Sequence, residues 1–241
     1  MRYTHHFTVI RRRKHTTPIS LVVVGLIVLT ALTFGFTQVN AFQFIWGFFL
    51  SFIRVLFAYI IALVIALITS LLVTKNKKVE DIALPILDVL QSFPSFALLP
   101  LFLTIMGKNV IIVIFLLFIT MIWPIMFALL SGIKSFNSEV LDAATIFGAR
   151  GFKKFEHVTL PLIFPSLVTG SIVAWGEAWE AIIATEIIVR IPGVGTYLAD
   201  AGEASNNHIL IIGILLLMLL LFILNKLFWI PLLNSSTKYQ S

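Results

Sequence analysis

The chain has 241 residues, 59% of them hydrophobic and only 12% charged, with a mean hydropathy of +1.05. That balance excludes an ordinary soluble domain and points to membrane-spanning helices. Cysteine is absent, which removes disulfides and thiolate chemistry, and the net charge of +6 reads as membrane topology rather than nucleic-acid affinity because the bases flank apolar runs.

Residues 1–18 form a basic tail that holds Arg11-Arg12-Arg13-Lys14 and the neighbouring His5 and His6, weak grounds for a metal site. A bilayer core about 30 Å thick needs roughly 20 apolar helical residues. Six runs qualify: Ile19–Thr37, Phe42–Thr74, Ile82–Met106, Val110–Ile133, Leu162–Val189 and His208–Ile230. The fold class predicted is therefore all-α, with one transmembrane domain over 19–241. The first run resembles a signal peptide in its basic flank, but its length and the five spans behind it favour a retained helix. The second is long enough to tilt. Pro85, Pro94 and Pro100 in the third, and Pro124 in the fourth, predict kinks that neighbours must satisfy.

With the N-terminus inside and six spans, the inner segments collect the basic tail, Lys75, Lys77, Lys78, Lys134, Arg150, Lys153, Lys154, Lys226 and Lys238. The outer side keeps Lys108 and Arg190, and Arg54 is left within the membrane. This asymmetry predicts a multi-pass protein of a bacterial-type cytoplasmic membrane with both termini in the cytoplasm.

Between the fourth and fifth spans, about 134–161, the chain turns polar. Ser138 is the expected helix cap, Glu139 sits in the first turn, and Val140, Leu141, Ala144 and Phe147 follow at helical spacing. Gly148 and Gly151 predict a sharp turn, Phe152–Val158 a second short amphipathic piece, and Pro161 the opening of the fifth span. An ordinary interfacial loop would also fit this composition.

Within the spans, Arg54 in the second and Glu177, Glu180 and Glu186 in the fifth are costly at membrane depth, hence functional candidates. Counting depth from the outer ends predicts that Arg54 pairs with Glu180 or Glu177. Such a pair either lines a pathway for solute or simply bridges helices. Trp175 and Trp179 share a face and serve as packing residues or as a clamp in that pathway. Unpaired carboxylates would repel an anion, so either bases neutralise them or the solute is neutral or cationic. The loop Arg190–Asn207 is rich in turns and acids.

Asp142-Ala143-Ala144, then Gly148, Val158 and Leu160-Pro161, resemble the EAA loop of ABC-importer permeases, with Asp for Glu and Val for Ile. Four further stretches resemble the nitrate/sulfonate/taurine-type branch of that family. They are Ser51-Phe52-Ile53-Arg54-Val55; Leu90-Gln91-Ser92-Phe93-Pro94 with Leu98-Leu99-Pro100-Leu101; Gly176-Glu177-Ala178-Trp179; and Gly193 to Leu198. The resemblance implies a permease subunit that forms the translocation pathway and is not itself an enzyme. It implies coupling to a cytoplasmic ATPase dimer through Asp142, Ala143, Ala144 and Gly148, with Arg150 and Lys153 as added contacts, and ATP and Mg bound by that ATPase rather than by this chain. A second permease subunit, an extracytoplasmic binding protein and a small solute such as nitrate, a sulfonate, taurine or a thiamine-precursor-like compound complete the expected system. A proton-coupled carrier using Glu177 and Glu180 is the alternative. A membrane-embedded hydrolase lacks its HExxH, GxSxG or cysteine.

Overall fold

A computed structural model describes residues 24, 25, 28, 40–92, 94–135 and 138–236. The basic tail, the predicted span Ile19–Thr37 apart from three positions, Phe93 and Lys238 lie outside these residues. The described residues contain helices and no strand.

Helix α1 is Ala41–Val73, α2 is Lys77–Gln91, α3 is Leu99–Met106, α4 is Val110–Lys134 and α5 is Ser138–Ile146. Helix α6 runs over Gly151–Val189, α7 over Val194–Glu203 and α8 over Asn207–Ser236. Four of them, α1, α4, α6 and α8, are long and apolar enough to cross a membrane. The predicted span Ile82–Met106 is not one rod. It is a pair, α2 and the 3-10-to-α3 segment Ser95–Met106, bent by 71° around Pro94. A proline has no N–H to donate and disfavours helix in the residue before it, so the chain breaks there. Counted as one span, the pair brings the described total to five, against five predicted over the same residues.

Asparagines open four of the helices, α1, α2, α4 and α8. Asn40, Asn76, Asn109 and Asn206 accept N–H bonds from Gln43, Lys78, Ile112 and Ile209 at 2.9–3.2 Å. Each satisfies one of the donors a helix start leaves free.

Helix α4 is the centre, its buried Ile112, Leu116, Met121, Ile125 and Leu129 packed between α1 and α6. The face that α1 turns inward is a seam of small residues: Gly47, Ser51, Ala58, Ala62, Ala66 and Ser70. Helix α6 answers with Gly170, Ser171, Ala174 and Ala178. Lipid tails are as apolar as Leu, so membrane helices associate through close packing, which small residues permit. A Cβ on Gly170 would lie 2.6 Å from the Ala128 Cβ and 2.8 Å from the Pro124 carbonyl oxygen.

The predicted boundary at Pro161 is corrected. The second amphipathic piece and the fifth span form one 39-residue helix, Gly151–Val189. Residues Phe155–Thr159 make a π turn in which the Leu160 N–H reaches the Phe155 carbonyl. The widened turn absorbs the proline without ending the helix. The same device recurs in α8, where Asn225–Trp229 is a π turn directly ahead of Ile230-Pro231.

Candidate functional site

Three places concentrate polar chemistry. The first is the turn after α5, at the end of the bundle that carries Lys134 and the Lys75–Lys78 segment. Gly148 sits at φ +88°, and its N–H donates to the Thr145 carbonyl at 3.0 Å, while the Ala149 N–H donates to the Ala144 carbonyl at 2.9 Å. These two bonds form a Schellman closure, which needs a left-handed residue and therefore favours glycine. Gly151, at φ +55°, turns the chain again into α6. Lys154 returns to Thr145 with a 2.8 Å hydrogen bond. The two glycines thus turn the chain where the sequence placed the turn. Ala143 and Ala144 are half-buried, Arg150 and Lys153 are exposed, and Asp142 lies in α5 with its side chain outside the described set. Ile146, Phe147 and Phe152 are 84%, 90% and 74% exposed. That apolar knuckle is larger than isolated surface hydrophobics. Beside it, Lys134 pairs with Glu80 at 2.5 Å and ties α2 to the end of α4.

The second place lies near the opposite end and corrects the predicted ion pair. Arg54 pairs with Glu186 at 2.6 Å, not with Glu177 or Glu180. Counting depth from the outer ends assumes that both spans end level. Instead Gly47, six residues into α1, touches the backbone of Gly193 and Val194, so the first turns of α1 rise past the end of α6. The shift brings Arg54 down opposite Glu186. The Glu186 carboxylate also accepts from the Ser51 hydroxyl at 2.8 Å and the Gly195 N–H at 2.9 Å, and the Val194 N–H donates to the Ser51 oxygen at 3.0 Å. A Cβ on Gly193 would come within 2.2 Å of that carboxylate. The cluster fastens the corner between α6 and α7 to α1. Sequence reasoning quoted Ser51, Gly193 and Gly195 only inside motifs and missed their shared partner. The signal was there: Ser51 and Arg54 are three apart on one face of α1, beside a turn that needs glycine. On the surface, Arg190, itself left-handed at φ 60°, binds Asp200 and Glu203.

The third place is a cavity of about 490 Å³ between the bend after α2, α4 and α6. Gln91, Ser92, Ser95, Thr120, Trp123 and Glu177 supply its polar lining. The Ser95 and Thr120 hydroxyls stand 3.2 Å apart. Glu177 and Glu180 are both exposed on one face of α6 and have no salt bridge among the described residues. The two other pathway candidates lie elsewhere. Arg54 is 8% and Trp179 4% exposed, and the indole of Trp179 stacks on Phe48 with centroids 5.1 Å apart. Trp175 packs edge-on to Phe52, Tyr59 and Trp229, as a packing residue would. Among the described residues no His, Asp and Glu cluster could hold a metal ion.

The family described as binding-protein-dependent transport system inner membrane component matches residues 59–229, which include the α5 turn and the Glu177 cavity. The chain belongs to that family. It is 29% identical over 174 residues to a nitrate import permease protein of Leptolyngbya laminosa, covering 72% of this chain and 62% of that protein. It is 28% identical to a bicarbonate transport system permease protein of Synechocystis over 67% of this chain and 58% of the relative. It is 26% identical to the taurine transport system permease protein of Escherichia coli over 72% and 63%. The chain therefore spans about three fifths of the length of these curated relatives. An inner-membrane component accords with the four long apolar helices.

Proposed function

We propose that this chain is the membrane-spanning subunit of an ATP-driven importer. It works as a pair with a second copy, a cytoplasmic ATPase dimer and an extracytoplasmic binding protein. The chain performs no hydrolysis; ATP and Mg belong to the ATPase. The observation that carries the reading is the α5 knuckle. A glycine-closed turn presents Ile146, Phe147 and Phe152 to solvent in the same segment as the exposed Arg150 and Lys153. Bases flanking apolar spans favour the cytoplasmic side, which is also where an ATPase would grip it. Asp142, Ala143, Ala144 and Gly148 then form the docking surface, with Arg150 and Lys153 at its edge. The ATPase stroke would reach the spans through α6, which is continuous from the knuckle to Val189. Glu177 and Glu180, open on α6 at mid-membrane, face the solute path. Nitrate, bicarbonate and taurine in the names of the relatives suggest a small solute.

The test is co-purification with the cognate ATPase in mild detergent, followed by ATP hydrolysis. Gly148→Val is the matched variant, because a Cβ at Gly148 meets no atom within 4 Å and only the backbone is strained. Wild type is expected to retain an active ATPase and Gly148→Val to lose it, with equal amounts of folded permease. Equal retention by both would remove the turn from docking. Retention by neither would favour a self-contained carrier.

A further inference from the structure

We propose that the cavity beside Glu177 takes a small organic cation, an amine or a protonated nitrogen heterocycle, and disfavours small anions such as the nitrate and bicarbonate named for two of the relatives. The proposal rests on the importer reading for its role in transport, and on the cavity's own chemistry for its ligand.

Depth comes first. Glu177 lies twelve residues from the Val189 end of α6, and Thr120 ten from the Val110 start of α4, about 18 and 15 Å by helical rise. Both sit near the middle of a core about 30 Å thick. The Gln91 amide and the Ser92 and Thr120 hydroxyls are satisfied within the chain, by Asp88, the Val89 carbonyl and the Leu116 carbonyl. Glu177 is exposed at this depth with no salt bridge among the described residues, and a carboxylate there faces a water-filled path or a protein partner rather than lipid.

Charge comes next. Among the described residues, Glu177 is the only ionisable side chain that lines the cavity. Arg54, a base deep within α1, is buried against Glu186 and so does not neutralise Glu177. At the outer end Arg190 is held by Asp200 and Glu203. Glu180 stands exposed one turn further along the same face and adds a second negative charge. An anion held about 4 Å from one carboxylate loses between roughly fivefold in affinity in water and a thousandfold at an effective dielectric near 20, and a cation gains by the same field.

The remaining lining fits a nitrogen base. Trp123 and Phe127 line the cavity with aromatic rings, whose faces attract cations, and the Gln91 carbonyl and the Ser92, Ser95 and Thr120 oxygens can accept N–H donors. The volume of about 490 Å³ lies within the range of small-molecule pockets, roughly 300–1,000 Å³.

The experiment uses the full chain with its ATPase in nanodiscs and follows thermal unfolding at rising concentrations of single probes. The cationic probes are benzylammonium, choline and 4-aminopyridinium. The anionic probes are nitrate and bicarbonate. At least one cation is expected to raise the midpoint, with a tenfold or greater loss of apparent affinity in Glu177→Gln and retention in Glu177→Asp. Stabilisation by nitrate or bicarbonate without any by the cations would overturn the proposal. So would no response to any probe, or a cation response unchanged in Glu177→Gln. ATPase retention is read in the same preparation. Cation binding without a retained ATPase sinks the importer reading and leaves the ligand class standing. A retained ATPase with oxyanion binding does the reverse.

Discussion

Glu186 is the residue on which the outer corner depends, because its carboxylate holds Arg54, Ser51 and the Gly195 N–H at once. Removing one partner of a buried pair leaves the other charge without compensation, which costs about 3–5 kcal/mol, whereas replacing both partners with apolar groups is often neutral. Glu186→Ala is therefore expected to lower unfolding stability in mixed micelles by about 3–5 kcal/mol, and Arg54→Met with Glu186→Leu to recover most of it. A loss below about 1 kcal/mol for Glu186→Ala would mean that water reaches the pair. The existence of intramembrane charges was legible in the sequence, because Arg and Glu are conspicuous among Leu, Ile and Phe. The identity of the pair was not, since it depends on how far α1 overshoots α6. That overshoot is set by the contact of Gly47 with Gly193, two residues 146 positions apart in sequence.

At the scale of elements, close packing of α4 against α6 decides where large residues fit. Gly170 has the Ala128 Cβ and the Pro124 carbonyl in the space a side chain would fill. Gly170→Leu is expected to destabilise by about 1–3 kcal/mol or more, as overpacked cores do. Gly176, six residues on in the same helix, meets nothing within 4 Å. Gly176→Ala should gain about 0.5–1 kcal/mol from helix propensity alone. Thermal unfolding of the two variants side by side checks both, and equal effects would show that α4 and α6 are less closely packed than described. The α5 turn was legible because a left-handed closure asks for glycine and Gly148 supplies it. The matching closure after α7 was not. There Ser205 takes the left-handed position at φ 53°, and a serine gives no such signal. Nor was the continuity of α6 legible. Pro161 reads as a helix start, and only the π turn before it keeps the helix intact.

For the whole molecule the importer reading requires that the α5 knuckle face the cytoplasm. The basic residues give the direction, and α6 makes the ends distinguishable: it leads from the knuckle to the corner with α7, and α8 runs back from just after that corner. The absence of cysteine makes the test direct, since any introduced thiol is the only one in the chain. Ala204→Cys, exposed just after α7, marks the corner end, and Ser235→Cys, exposed near the end of α8, marks the lysine-rich end. Neither change touches a base that sets topology or a residue of the knuckle. A membrane-impermeant maleimide applied to intact cells is expected to label Ala204→Cys at once and Ser235→Cys only after the membrane is opened. The reverse pattern would put Ile146, Phe147 and Phe152 outside, out of reach of any cytoplasmic ATPase. It would also make the excess of Lys and Arg at that end an exception to the positive-inside rule, which acts on short loops and span ends such as these. The expected pattern would leave the knuckle as an apolar surface on the cytoplasmic side, joined by one unbroken helix to the carboxylates at mid-membrane.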